Sequence, residues 1–292
     1  MSPARAWVLA ARPPTLLAAV GPVLVGSGLA VHDGVFRWDA FVVTLVTAVL
    51  INVGVNFAND ASDARRGADT PDRIGPVRAV ASGLIPERRM WTGVAVVFGL
   101  AAAGGIYLTA IAGWPILVIG AASLVAALGY TGGPVPFGYR GLGEVFVFVF
   151  FGLAGTVGSR FVHDRSAPLD AWLLAIPIGF LVTAILVANN VRDIDTDRAT
   201  GKRTLAVILG RQGTRVLFAV LTLGAFVLLA LFAAAGWVPR LCALGLLALP
   251  LAIRPVTAVF RETAGPALIA ALKGTARVNA LVGALVALGA AL

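Results

Sequence analysis

"VNFANDASDARRGADT", residues 55–70, places two asparagines, three aspartates and two arginines at the end of an apolar run that carries no charge from 40 to 59. Twenty such residues in a helix are enough to cross roughly 30 Å of hydrocarbon. The same length recurs along the chain. Residues 13–32, 171–191 and 216–239 lack Asp, Glu, Lys and Arg, and residues 90–139 are uncharged throughout, room for two spans hinged near "AIAGWP". Residues 145–159 form another, while 241–253 and 278–292 span only if Arg240 and Arg277 snorkel. The expected fold is an all-α, polytopic transmembrane helical bundle of about nine helices, forming a single domain over residues 1–292.

Composition agrees. Of 292 residues, 59% are hydrophobic and 13% charged, more apolar surface than a soluble domain can bury. The apolar runs are unbroken rather than alternating, which excludes a membrane barrel. The 34 glycines suit close helix packing in lipid. The early arginines and small residues imitate a signal peptide, but eight further spans favour a retained first helix. One cysteine, Cys242 in an apolar span, rules out a disulfide framework within the chain and reads as packing.

A net charge of +9 invites a nucleic-acid reading, yet the basic residues sort by loop and imply no nucleic-acid partner. With the N-terminus cytoplasmic, the inner side carries Arg5, Arg12, Arg140, Arg254, Arg261, Lys273, Arg277 and the two clusters at 59–89 and 189–215. The outer side has Arg37, Arg160, Arg165 and Arg240. That asymmetry follows the positive-inside rule and places the polar clusters at the cytoplasmic face of a cell membrane. The rule needs only cations. The same loops nevertheless gather Asp60, Asp63, Asp69, Asp72, Asp193, Asp195 and Asp197, half of the chain's 14 acids.

"ANDASDARRG" (58–67) matches "ANNVRDIDTD" (188–197) at an offset of 130, superposing Ala58 on Ala188, Asn59 on Asn189 and Asp63 on Asp193. The chain therefore reads as two repeated four-helix halves, about 1–140 and 141–256, with one helix beyond. Steps of three and four residues put Asn56, Asn59 or Asp60, and Asp63 on one helical face, and Asn189, Asp193 and Asp197 on another. Oxygen ligands without histidine or cysteine suit Mg²⁺, which is held by one or two carboxylates together with phosphate oxygens. Arg65, Arg66, Arg73, Arg78, Arg192, Lys202 and Arg203 supply cations for the phosphate itself. Solvated loops whose acids and arginines merely pair with each other do not require two asparagine-led faces on a common spacing.

These paired motifs resemble the UbiA superfamily of membrane prenyltransferases. The likeness runs over nearly the whole chain, through "ARPPTLLAAVGPVLVG", "YTGGPVPFGYRGLGE" and "VANNVRDIDTDRATGKRTLAV". The branch most similar is the one that prenylates 1,4-dihydroxy-2-naphthoate in menaquinone biosynthesis. The resemblance implies that Mg²⁺ on Asp60, Asp63, Asp193 and Asp197, with Asp69 as a further candidate, clamps the diphosphate of an allylic polyprenyl diphosphate. It assigns diphosphate contact to Asn56, Asn59, Arg73, Arg78, Asn189, Arg192 and Lys202. Tyr130, Tyr139 and Arg140 are expected around the aromatic acceptor, Arg140 on its carboxylate. Gly67 departs from the family's pattern, standing where many members carry a third aspartate.

Two other readings compete. One keeps the family but exchanges the acceptor for 4-hydroxybenzoate or homogentisate. The other is a transporter of an anionic lipid or metabolite, against which stands the placement of the charges at helix ends rather than the midplane. His163 and Asp164 are expected in a solvated outer loop, and "RETAGPALIAALKG" (261–274) reads as an amphipathic connector.

Overall fold

The computed structural model describes residues 1–68, 75, 77–263 and 265–292, so Asp69, Asp72 and Arg73 lie outside the described residues. Its elements are α1 (Pro3–Ala11), α2 (Pro13–His32), α3 (Trp38–Arg65), α4 (Glu87–Ala112), α5 (Trp114–Gly129), α6 (Gly143–Asp164), α7 (Leu169–Ala199), α8 (Leu205–Ala234), α9 (Arg240–Arg261) and α10 (Pro266–Ala291). No strand occurs among the described residues. Eight of these helices are long and apolar enough to cross a membrane, and α5, at 16 residues, is a shorter apolar helix beside them, a count near the nine expected.

Local chemistry sets the boundaries. Pro13 and Pro14 open α2, where a missing backbone N–H costs nothing. The hinge anticipated near "AIAGWP" is the break between Ala112 and Trp114. A π-helical stretch, Phe148–Ala154, interrupts α6, and α9 begins as a 3₁₀ helix, Arg240–Ala248. One boundary differs from expectation. Residues 266–274 are not a connector but the first turns of α10, which begins with Pro266 at its N1 position and so takes Lys273 and Arg277 into the helix.

The bundle is greasy outside as well as inside. Val46, Val96, Leu100, Ile106, Val125, Val220, Val227 and Leu231 are exposed along the helix flanks, the pattern of a surface solvated by lipid. Trp38, Trp114, Trp172 and Trp237 are all exposed at the end opposite "ANDASDARRG", where indole rings sit at a membrane–water interface.

At that same end, Arg160 is buried between Asp33 (2.6 Å) and Asp164 (2.6 Å), and His163 accepts the backbone N–H of Arg37 at 3.0 Å. The expectation of a solvated loop fails for His163. The last turn of α6 carries it against α2, 3.3 Å from the Ser27 hydroxyl, and buries it.

Packing is most extensive between α2 and α10, where a Cβ on Gly283 would stand 2.6 Å from the Gly21 Cα. Small residues here let two backbones touch, which is how helices associate in lipid. Gly283→Leu is therefore expected to lower stability by about 1–3 kcal/mol, the usual range for overpacking. Gly99→Leu, at an exposed position where an added Cβ meets nothing within 4 Å, should leave the melting temperature in detergent unchanged.

Candidate active site

Both acidic motifs end their helices in the same way. Gly67 (φ 66°) and Gly201 (φ 75°) adopt the left-handed conformation that favours glycine. The N–H of Ala68 then returns to the Asp63 carbonyl (2.9 Å), and that of Lys202 to the Asp197 carbonyl (2.9 Å). Each is a Schellman cap. The caps pair Asp63 with Asp197 and Gly67 with Gly201, one helical turn away from the offset of 130 that pairs Asp63 with Asp193. Gly67 thus has a task of its own, which is to stop α3 immediately beyond the motif.

Asp63 is the junction of the site. Buried at 2% exposure, it accepts from Arg78 at 2.9 Å, lies 3.4 Å from the Lys202 ammonium, and takes the Tyr139 hydroxyl on its other oxygen. Lys202 also stands 4.0 Å from Asp197 and 4.6 Å from the centre of the Tyr139 ring. The two motifs therefore meet at one ammonium group. A divalent ion suits the same position, because hard oxygens face it from both helices. Among the described residues no three His, Cys, Asp or Glu side chains cluster tightly enough to hold a metal unaided. The donor set fits Mg²⁺ only with phosphate oxygens completing its shell.

Asp60 carries a different load. Its two oxygens accept the backbone N–H groups of Ala79 (3.0 Å) and Val80 (2.9 Å), tying the segment that delivers Arg78 onto α3. Arg192 grips both oxygens of Asp193 (2.7 and 2.6 Å) and the Asn189 carbonyl oxygen (2.9 Å), so its guanidinium orients the second motif. Asn56 donates to the Ala11 carbonyl (2.9 Å) and Asn59 accepts from Thr131 (2.8 Å).

A cavity of about 330 Å³ opens beside this cluster. Asn56, Asn59, Asp63, Arg78, Tyr130, Tyr139, Asn189 and Lys202 line its polar end, and the remainder is mostly apolar, with Ile116, Ile119, Phe146, Phe150, Phe151 and Val162 beside a few hydroxyls such as Thr47 and Ser123. Phe137, Phe146 and Phe150 stack in sequence, with centroids 3.8 and 5.9 Å apart, leading from the polar end into the apolar part. Burial pushes the Tyr130 phenol up, so it stays protonated.

Asp60, Arg192, Asp193 and Asp197 do not line the cavity; Asp197 adjoins its polar end through Lys202, and Arg192 holds Asp193 beside the lining Asn189. Arg140 is exposed and does not line the cavity, so the structure does not bring it to the acceptor position expected for it. Two wall features escaped the sequence. Arg12 lines the polar end from the α1–α2 joint, and Asn190 lines it while donating to Glu144 at 2.8 Å. The phrase "ARPP" was the available signal for the first; nothing local marked the second.

Residues 19–268 match the UbiA prenyltransferase family. The chain belongs to that family. Among its relatives is the 1,4-dihydroxy-2-naphthoate octaprenyltransferase of Mycobacterium leprae, 40% identical over 272 residues covering 92% of this chain and 90% of that one. The Escherichia coli K12 protein of the same name is 38% identical, with 90% and 87% covered. The family's fold is seen in a UbiA homolog from Archaeoglobus fulgidus bound to DMAPP and Mg²⁺, 15% identical, with a TM-score of 0.67 over 98% of this chain and 99% of that one.

Asp60→Ala removes the acceptor for two backbone amides. Hydrogen exchange at Ala79 and Val80 is expected to accelerate by about fivefold, from roughly 1 kcal/mol per lost bond. Unchanged protection there would show that Asp60 does not anchor the segment.

Proposed function

We propose that this protein transfers a polyprenyl group from an allylic diphosphate to 1,4-dihydroxy-2-naphthoate, releasing carbon dioxide and diphosphate and yielding demethylmenaquinol for menaquinone biosynthesis. The observation that carries the reading is the meeting of Asp63, Asp197, Arg78 and Lys202 at the polar mouth of a phenylalanine-lined cavity. Charged head and apolar tail of the donor find matching surroundings in one space.

Asp63, Asp193 and Asp197 would hold Mg²⁺, which when bound supplies positive charge opposite the leaving diphosphate. Arg78 and Lys202 lie close enough to the carboxylates to trade them for phosphate oxygens. As the allylic C–O bond breaks, its electron pair leaves with diphosphate, and preorganised cations act most strongly on that developing charge. The tyrosine rings at the polar end face the allylic cation and can stabilise it through their π faces. The acceptor ring supplies the electrons of the new C–C bond, and loss of its carboxylate as carbon dioxide returns electrons to the ring. No covalent enzyme intermediate is needed.

For the acceptor carboxylate we assign Arg12 in place of Arg140, because Arg12 reaches the cavity and Arg140 does not. Asn190, with its amide nitrogen committed to Glu144, presents its carbonyl oxygen to an acceptor hydroxyl. Asn56, Asn59 and Asn189 frame the donor's head, and Arg192 acts by aiming Asp193. We place the site at the cytoplasmic face of the plasma membrane, following the distribution of basic residues. Duplication of a four-helix unit is supported by α2 and α6 beginning 130 residues apart, at Pro13 and Gly143.

Offered dihydroxynaphthoate, 4-hydroxybenzoate and homogentisate side by side with a long allylic diphosphate and Mg²⁺, the purified protein is expected to prenylate the first. Preference for either other acceptor would overturn the acceptor assignment, and vectorial uptake without turnover would favour a transporter. Asp63→Ala and Asp193→Ala should each lower turnover by orders of magnitude while a folded protein still elutes on size exclusion. Near-normal rates would remove both carboxylates from the mechanism.

A further inference from the structure

Away from the cavity, α9 and α10 carry three cations on their outer surface. Arg254, Lys273 and Arg277 are all exposed, and among the described residues none has an ion-pair or hydrogen-bond partner. Glu262 is the only acid between residues 240 and 291. Their neighbours on the same surface are apolar and equally exposed: Leu251, Ile253, Phe260 and Leu281. The positive-inside rule accounts for cations in loops. It does not account for cations inside two helical spans on a lipid-facing surface, where charge without a partner is unfavourable.

Their depth follows from helix geometry. A Cβ on Gly289 would strike the Leu241 carbonyl, so α10 at Gly289 is level with the start of α9, just beyond the exposed Trp237. At about 1.5 Å per residue, Lys273 lies about 24 Å along α10 from that level and Arg277 about 18 Å. A hydrocarbon layer is about 30 Å thick, so Lys273 sits near its far edge and Arg277 one turn inside. Arg254 shares that level, because its neighbour Pro255 packs on Gly274, whose Cβ would lie 3.0 Å from the proline ring.

The helices are antiparallel, which matters for where the charges end up. Cα–Cβ bonds tilt toward a helix's N-terminus. Lys273 and Arg277 therefore lean toward the site-side interface and Arg254 leans away from it, bringing the three heads toward one level.

We propose that this surface is a binding site for an anionic phospholipid of the site-side leaflet. Its phosphate is held by Arg254, Lys273 and Arg277, and its acyl chains lie along Leu251, Ile253 and Leu281. A membrane supplies phosphate esters at that depth and orientation, whereas a free anion would have to leave water to reach cations flanked by acyl chains.

The test uses the full chain in detergent with phosphatidylglycerol or phosphatidylcholine, bound lipid being counted by native mass spectrometry. Phosphatidylglycerol is expected to be retained about a hundredfold more than phosphatidylcholine, since each of the three cations near an anionic headgroup is worth about fivefold. The triple variant Arg254→Gln, Lys273→Gln, Arg277→Gln should erase that preference. The charge-keeping variant Arg254→Lys, Lys273→Arg, Arg277→Lys should retain it. If the triple variant does not fold, Arg277→Gln alone should lose about fivefold. Equal retention of the two lipids by the unmodified chain, or an unchanged preference in the glutamine variants, overturns the proposal. Displacement of phosphatidylglycerol by excess inorganic phosphate overturns the lipid assignment in favour of a free anion.

Discussion

A carboxylate taken into a membrane bundle has to be neutralised where it stands, and Asp63 is neutralised by groups from three other parts of the chain. Arg78 comes from the segment after α3, Tyr139 from the turn after α5, and Lys202 from the cap of α7. Removing water from a charge is costly enough that these partners are tied to one point. The helix ends that carry them must then converge, which gives the bundle its polar end. Asp60 serves the same convergence by holding the backbone that delivers Arg78.

Convergence creates the cavity. Four helix ends drawn toward one acid leave a space between the α3 and α7 faces, and beyond the charged groups its lining is mostly apolar. An amphipathic substrate can therefore place its head and tail in a single continuous volume. The ammonium of Lys202 stands between Asp63 and Asp197, so the two acidic helix ends share one cation. The same economy of charge explains why the cations on α9 and α10 stand out. Asp63, Asp193 and Asp197 each have a cation beside them within the protein, whereas among the described residues Arg254, Lys273 and Arg277 have no acid beside them.

Much of this was legible in the residues. Uninterrupted apolar runs of span length locate the helices because backbone groups in lipid are satisfied only within the helix. The hinge at residues 112–114 and the gathering of both acidic faces at one end of the bundle were readable. The acids of "ANDASDARRG" were readable as a group, but not the division of labour between Asp60, which holds backbone, and Asp63, which holds the site together. Both are buried aspartates three residues apart on one helix, and only the neighbours supplied by other segments separate their roles. Arg140 shows the reverse error. It lies beside Tyr139 in sequence, yet the 3₁₀ turn sends one side chain inward and the other to the surface.

By itself, then, the sequence determined that the chain is a membrane bundle and that its acids and bases gather at one end. These properties depend on the length and spacing of neighbouring residues. Only the tertiary structure decided that Asp63 pairs with Asp197 across the site, that Arg12 and Asn190 reach the cavity, and that His163 is buried. The caps at Gly67 and Gly201 end their helices one turn apart in register, and which side chains then face each other depends on where those ends meet in space.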